Sequence, residues 1–368
     1  MNELRPWRRG VAITAACLAF AAVPILVIAQ QEQDASEDVG TDTTLVPVPS
    51  VPAPRASTSL LLDIAKAGSN WVTVGHHGNI LLSANGETWK QVAAPADTTL
   101  VRLRFLDESH GWAIGYDGTI LGTTNGGQSW DLLQFDAAWG RPYFDILFFD
   151  AENGLVAGAN GALKRTADGG KTWEEVSSDV LADSPNLYNL TRLGDGSLLL
   201  AGERGFLAHS TDKGATWTQL KSPYTGSYFG TVATGGTGVL VFGLRGNAFY
   251  AADISKAAPL TAKDRAALQA AAANAEAATS TVSPITEVAG WTRLASEDTE
   301  PLFGGTVGSD GRVILVGQNG RVMEADLAGG SLKRRDAAGS SINMNSVLVD
   351  GSGLLVVGTS GVSRIALQ

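Results

Sequence analysis

The chain is poor in the residues that most often carry chemistry. It has one cysteine in 368 residues, Cys17, which lies within an apolar stretch near the N-terminus. Beyond that stretch there is no thiol, so disulfides, thiolate zinc sites and cysteine nucleophiles are excluded. Histidine is scarce, with four copies. His76 and His77 are adjacent and could ligate a metal, but no partner pattern accompanies them, and a turn surface is the simpler reading. No cofactor motif is present, and no metal or cofactor is expected. Basic runs are absent too. The formal charge is −10, and residues 1–29 contribute +2, leaving −12 for the remainder. So acidic a chain is unsuited to holding nucleic acid through its phosphates.

Apolar length is concentrated at one end. Arg5, Arg8 and Arg9 precede a run from about Gly10 to Ala29 that closes on small residues. This is the layout of a secretory signal peptide, with cleavage expected after Ala29. The run is also just long enough to span a bilayer as an uncleaved anchor. Either way the rest of the chain is expected outside the cytoplasm, in the periplasm. Residues 30–56 are acidic, then proline-rich ("VPVPSVPAP"), the composition of an extended, flexible linker.

One pattern dominates the remainder, residues 57–368: an apolar run ending in Gly, two variable residues, then another Gly. It occurs seven times, as "WVTVGHHGNI" from Trp71, "WAIGYDGTI" from Trp112, "LVAGANGAL" from Leu155, "LLAGERGFL" from Leu199, "LVFGLRGNA" from Leu240, "ILVGQNGRV" from Ile314 and "LVVGTSGVS" from Leu355. A second short apolar segment precedes each copy. Four copies run on into a tryptophan-bearing turn, ending at Trp89, Trp130, Trp173 and Trp217. Each unit reads as four short strands, and a period of roughly 40 residues with four strands is a propeller blade. The expected fold is an all-β, seven-bladed propeller of four-stranded antiparallel blades.

The last unit ends soon after its third strand. A propeller must close, because an open blade leaves unpaired edges. Residues 43–51, "TTLVPVPSV", are the expected donor of the missing outer strand, since an outer edge tolerates proline. The alternative is a three-stranded last blade and a free linker.

In the turn "RTADGGKTW", Asp168 can accept N–H bonds from its own turn, Gly170 permits a positive φ, and Trp173 can fill a wedge between blades. The equivalents are Asn125, Gly127 and Trp130 in the second unit, and Asp212, Gly214 and Trp217 in the fourth. Asn at the acidic position cannot deliver a proton. The turn is therefore selected for accepting N–H bonds, and it builds the fold.

With its exported N-terminus and Gly/Trp units, the chain resembles the photosystem II stability/assembly factor-like family of β-propellers with Asp-box (bacterial neuraminidase) repeats. The resemblance covers roughly residues 57–368 and weakens in the last three units, where the Trp turn is lost. It implies a non-enzymatic scaffold or accessory factor for a membrane protein complex. In non-photosynthetic bacteria it implies an association with an exporter of the resistance-nodulation-division type.

Asp boxes also occur in sialidases. Arginines are available (Arg102, Arg104, Arg141, Arg204, Arg245, Arg321), but no Tyr/Glu pair stands out. Asp145 and Glu203 could form a hydrolytic carboxylate pair only because they are acidic. The expectation is that the chain is not an enzyme.

Blade geometry places the second-to-third turns and the links between blades at one end of the disc. That end displays His76-His77, Arg204 and Arg245, and the links add Trp139, Tyr143, Phe144, Tyr188, Tyr224, Tyr228, Phe229 and Phe303 around the mouth of the central channel. Aromatics beside arginine are typical binding anchors. All of these except Phe144 and Phe229 form the candidate partner-binding set. A lectin-like module for a glycan or lipid is the alternative use of the same aromatics. An insertion at residues 256–289 interrupts the fifth unit. Its "TAKDRAALQAAAANAEAA" is a strong helix former with Thr261 and Asp264 as a capping box, and it is expected at the Trp-turn end.

Overall fold

The computed structural model describes residues 46–275, 285–335, 342–351 and 353–366. The expected signal peptide and the linker up to residue 45 lie outside them. Within the described residues the chain forms six four-stranded antiparallel sheets and one three-stranded sheet, each with its strands in sequence order. Blade one is Leu61–Ala67, Asn70–Gly75, Ile80–Ser83 and Lys90–Val92, and blade seven is Met344–Asp350, Gly353–Gly358 and Gly361–Ala366. The inner strands of blades two to six are Leu100–Phe105, Tyr143–Phe148, Leu187–Arg192, Tyr228–Gly235 and Leu302–Val307. Each inner strand touches the next, and blade one touches blade seven, so the ring is closed.

The second strand of a blade is buried along almost its whole length, as in Leu198–Gly202 and Val313–Gly317. Both faces of the sheet are covered by neighbouring blades. This is why the repeats read as continuous apolar runs and not as an alternation. The core is accordingly a series of interblade wedges. Trp130 packs with Val72, Val74 and Leu121 between blades one and two, and Trp217 packs with Leu155 between blades three and four. Between blades two and three, Trp112 stacks on Phe148 at 3.5 Å and Phe148 meets Trp173 edge-on.

Ring closure departs from the expectation. Residues 46–51 do not pair with blade seven. Ser50 N–H donates to Ala94 O (2.9 Å), Asp97 N–H to Val48 O (2.6 Å) and Gln91 Nε2 to Val51 O (3.2 Å), which holds the segment along blade one. The remaining residues of the expected donor, 43–45, lie outside the described residues. What joins the ends is side-chain packing of Leu61, Trp71 and Leu81 against Leu355 and Val357. The short 3-10 turn Ala56–Thr58 takes the place of a link: a Cβ on Gly361 would lie 1.9 Å from Ser57 O. The proline-rich stretch thus serves as the link into blade one, because its backbone finds donors and acceptors there first.

The insertion also departs from its expected position. It leaves the third strand of blade five at the Trp-turn end, then runs beside the outer strand of blade four. Leu260 N–H donates to Gln219 O and Lys221 N–H to Ala258 O. The helix Ala262–Ala275 begins at the opposite end, where Arg265 donates to Asp179 O (3.2 Å) and Lys221 pairs with Asp264 (3.0 Å). The capping box is present, with Thr261 N–H donating to Asp264 Oδ2 and Asp264 N–H to Thr261 Oγ1. The returning chain passes Tyr224 and Pro223, pairing Thr286 N–H with Pro223 O. Free backbone groups along the rim of blade four draw the segment across the disc.

Candidate partner-binding face

The face is built by the first repeat glycine. In each blade this residue ends the second strand directly against the backbone carbonyl that precedes the inner strand. A Cβ on Gly202 would sit 2.3 Å from Asn186 O, and one on Gly358 would sit 1.9 Å from Asn343 O. At that close approach the pairing register slips. Leu187 pairs with Gly202 and Asn189 with Ala201, leaving Tyr188 unpaired in a β-bulge. The same slip occurs in all seven blades. A bulge re-aims its side chain. Here it presents one residue per blade at the link end of the ring of inner strands: Leu62, Val101, Phe144, Tyr188, Phe229, Phe303 and Asn345, all half-buried. None is charged, although the protein is strongly acidic.

Four of these seven are aromatic and consecutive. The ring centroids of Phe144 and Tyr188 are 5.2 Å apart, those of Tyr188 and Phe229 5.7 Å, and those of Phe229 and Phe303 5.7 Å. They form an arc over blades three to six. Burial raises the Tyr188 phenol above its ordinary value, so it stays neutral as a donor.

Below the arc the inner strands are stitched by charge. Asp145 is fully buried and takes a bidentate contact from Arg104 (3.0 and 3.2 Å). It also accepts Ile146 N–H and, from the next blade, Leu190 N–H, both at 2.9 Å. Asp63 accepts Leu103 N–H at 2.9 Å in the same way between blades one and two. Arg102 lies 3.4 Å from Asp145 and 3.8 Å from Asp63. These arginines and aspartates are spent on holding blades together. Asp145 is therefore unavailable as a hydrolytic carboxylate. Glu203 sits in a separate turn, engaged by Asn186 and Arg204.

The second-to-third turns carry the variable pairs, and their variation is constrained. His77, Asp117, Asn160, Arg204, Arg245 and Asn319 all have φ between 52 and 58°, in the left-handed region. Asn and Asp tolerate it best, and Arg is the less expected occupant. The turn bearing Arg204 packs on the inner strand of blade five, which carries Phe229. The turn bearing Arg245 packs on the inner strand of blade six, which carries Phe303. Both arginines are exposed, and Arg204 pairs with Glu203 at 3.1 Å. The two arginine-bearing turns thus flank the strands that carry Phe229 and Phe303.

The remaining candidates divide. Tyr143, Tyr224 and Tyr228 are not at the surface; each is essentially fully buried. Their hydroxyls are engaged by Gln134 Nε2, Leu244 O and Ser222 Oγ, at 3.1, 3.2 and 2.8 Å. They occupy the paired first position of an inner strand or a link packed beneath it, so they fill the core. The lectin-like use of Tyr143 and Tyr228 loses its basis. Trp139 is half-buried against Tyr143, with Lys164 Nζ 5.0 Å from its ring, apart from the aromatic arc. His76 and His77 lie against each other at a tilt in the blade-one turn, and His77 pairs with Asp97 at 3.1 Å. Among the described residues no group of three His, Cys, Asp or Glu is placed to hold a metal.

The two aromatic bulge residues missing from the candidate set are Phe144 and Phe229. A signal existed. In blades three to six the displayed aromatic stands the same distance ahead of the repeat glycine (144 to 158, 188 to 202, 229 to 243, 303 to 317). The residue before it is the buried partner.

At the opposite end the Asp boxes form as expected. Asp168 Oδ1 accepts the N–H groups of Lys171 and Thr172 (3.0 and 2.9 Å), and Oδ2 accepts Thr172 Oγ1 (2.6 Å). Gly170 N–H donates to Thr166 Oγ1, and Trp173 Nε1 to Gly170 O. Asp212, Gly214 and Trp217 repeat this scheme, with Thr216 as donor. In Asn125 the side-chain oxygen accepts Ser129 N–H at 3.0 Å, while Gly127 and Trp130 keep their contacts. Hydroxyl and backbone donors hold the Asp168 carboxyl well below its ordinary value.

Comparison with known proteins agrees with this architecture. The sequence profile of the family described as "Photosynthesis system II assembly factor YCF48" matches residues 81–143 and 133–257. The photosystem II assembly protein Ycf48 of Thermosynechococcus vestitus is 28% identical over 61 residues, 17% of this chain and 18% of that protein. The chloroplastic stability/assembly factor HCF136 of Cyanidioschyzon merolae is 36% identical over 56 residues, 15% of this chain and 13% of that protein. The aligned segments therefore span less than a fifth of either relative. A solved structure described as YCF48 bound to D1 peptide superposes with a TM-score of 0.57 at 17% identity, covering 87% of this chain and 99% of that one. At that identity the likeness is one of fold.

Proposed function

We propose that this chain, which is similar to the photosystem II assembly factor family of β-propellers over residues 81–257, is an exported, non-enzymatic accessory factor that holds a segment of a membrane protein during assembly or operation of its complex. The observation that carries the reading is the aromatic arc. Seven bulges deliver seven uncharged side chains to one opening, four of them contiguous rings, and the turns bearing Arg204 and Arg245 pack on the strands that carry Phe229 and Phe303. Such a surface suits an extended apolar segment with an acidic flank or a terminal carboxylate, because rings bury apolar side chains and guanidinium groups pair with carboxylates. The relatives named by sequence are assembly factors, and one structural neighbour is bound to a D1 peptide. The helix Ala262–Ala275 starts at the same end and would wall the site on the side of blades three and four.

The compartment in this reading is the periplasm, which follows from the basic and apolar N-terminus alone. The specific partner implied by the family resemblance is an exporter of the resistance-nodulation-division type, and no comparison bears on it. The test is capture from gently solubilised membranes with tagged protein. The wild type is expected to retain a defined integral membrane protein. Phe229→Ser with Phe303→Ser, and separately Arg204→Glu with Arg245→Glu, are expected to release it while leaving the thermal midpoint within a few degrees. Recovery of free protein alone from the wild type overturns the reading, and the identity of the captured protein decides the exporter.

A further inference from the structure

The tryptophan turn that the fifth unit lacks in sequence is present there in two pieces. The tryptophans of the other turns stand directly before an outer strand, as Trp217 stands before Thr218–Gln219. Trp291 stands in the same way before Thr292–Arg293, the outer strand of blade five. The registers agree: Tyr250 pairs with Thr292 as His209 pairs with Thr218. Asp253 follows the third strand Ala248–Ala251 at the same distance as Asp212 follows Leu207–Ser210. It accepts Ser255 N–H and Thr237 Oγ1, both at 3.0 Å. Trp291 packs against the cluster of Leu199, Leu207 and Val239 between blades four and five, as Trp217 packs with Leu155 one wedge earlier. Its Nε1 is buried without an acceptor among the described residues, whereas Trp217 Nε1 bonds Gly214 O. The insertion separates Trp291 from the part of the turn that supplies that carbonyl in the other blades.

The insertion leaves and rejoins the ring at one point. Ile254 and Ala257 are buried in the same wedge, and a Cβ on Gly290 would lie 2.7 Å from Ala257 Cα. Consecutive Cα atoms are about 3.8 Å apart, so the two ends are near enough to be joined directly. What lies between them is tied to the rim by polar contacts. Residues 258–260 bond to Gln219 and Lys221, and Thr286 N–H donates to Pro223 O at 2.9 Å. Asp264 pairs with Lys221 at 3.0 Å, and Arg265 donates to Asp179 O at 3.2 Å. Leu268 is the one large apolar side chain of the helix Ala262–Ala275, and it is 52% exposed. A helix of this length draws its stability from a packed apolar face, and Leu268 does not supply one.

We infer that the insertion is a strap hung inside the Asp box of blade five, and that it leaves the rim of blade four without opening the ring. Trp291, Ile254 and Ala257 stay behind when the strap lifts, so the wedge between blades four and five remains filled. The far tie of the strap reaches the link between blades three and four. Arg265 holds Asp179 O there, and Arg204 donates to Asp183 O of the same link at 3.5 Å. Release of the strap removes one of these two arginine contacts, so the strap bears on the edge of the candidate face. The inference does not depend on what that face binds.

Hydrogen exchange and thermal melts of the full-length protein test this. In the wild type the amides of residues 258–265 are expected to exchange at least about tenfold faster than those of Gly238–Gly243 in blade five. Asp264→Ala with Arg265→Ala is expected to speed exchange at 258–265 and at 179–184, and to leave 238–243 unchanged. Deletion of residues 258–289, which joins Ala257 to Gly290, is expected to leave a cooperative melt with a midpoint within a few degrees of the wild type. Trp291→Ala is expected to lower the midpoint about as far as Trp217→Ala, because both rings fill a wedge. Exchange of 258–265 at the rate of blade five, or faster exchange at 238–243 in the double variant, overturns the proposal and makes the insertion part of the ring. So does a deletion variant that fails to fold, or a Trp291→Ala variant with an unchanged midpoint. An unchanged rate at 179–184 in the double variant overturns the tie to the candidate face.

Discussion

The buried carboxylate of Asp145 in blade three accepts the backbone N–H of Leu190 in blade four at 2.9 Å, while Arg104 of blade two donates to both its oxygens. One side chain thus joins three blades. Removing it unpairs the part-exposed Arg104 and leaves the buried N–H groups of Ile146 and Leu190 without their side-chain acceptor. Asp145→Ala is expected to cost about 3–5 kcal/mol. Denaturant unfolding should show the loss as a lower midpoint, with no gain or loss of any hydrolytic activity.

The first repeat glycine is a matter of space. Gly202→Ala places a methyl 2.3 Å from Asn186 O, so backbone must move where the bulge forms. A loss of about 1–3 kcal/mol is expected. The bulge displays Tyr188, so the variant should also loosen the Tyr188–Phe229 contact, read as altered side-chain resonances.

Neighbouring aromatics on one strand should behave as opposites. Tyr228 is fully buried and bonded to Ser222, whereas Phe229 is half-buried at the opening. Tyr228→Ala is expected to destabilise the fold by about 3–5 kcal/mol. Phe229→Ala should cost far less stability and act on partner capture instead. Thermal melts paired with the membrane capture assay separate the two effects.

Acid sensitivity should have a component from the Asp boxes. Hydrogen bonds from Thr216 and Ser210, and from backbone N–H groups, depress Asp212 from 3.8 to about 2, and Asp168 is depressed in the same way by Thr172, Thr166 and Lys171. A lowered folded-state value means that the ionised form stabilises the fold above the unfolded value. That contribution is lost as pH falls through the folded value. The double variant Asp168→Asn with Asp212→Asn is expected to fold at neutral pH, as Asn125 does the same work. Its stability should fall less steeply than that of the wild type between about pH 4 and pH 2. Equal slopes in the two proteins would remove the Asp boxes from the acid response.

Much of this architecture was legible before any coordinates. The spacing of Gly75, Gly115, Gly158, Gly202, Gly243, Gly317 and Gly358 counts the blades, because each must approach a carbonyl that no side chain could. Asn125 standing where Asp168 and Asp212 stand removes the Asp box from the list of catalytic sites. Both are local constraints, repeated in sequence, and repetition makes them readable.

What the tertiary structure alone decided is which residues of each local group face the opening. Tyr143 and Phe144 are adjacent and similar in composition, yet a register slip buries the first and displays the second. The same slip displays Phe303 at the opening and withdraws Tyr228. The direction of the proline-rich stretch and of the insertion was also settled at a distance, by free backbone groups on blades one and four. Hydrophobic period and turn chemistry determine the blades from the sequence by itself. Pairing register and rim contacts depend on strands far apart in the chain, and so only the folded ring fixes them.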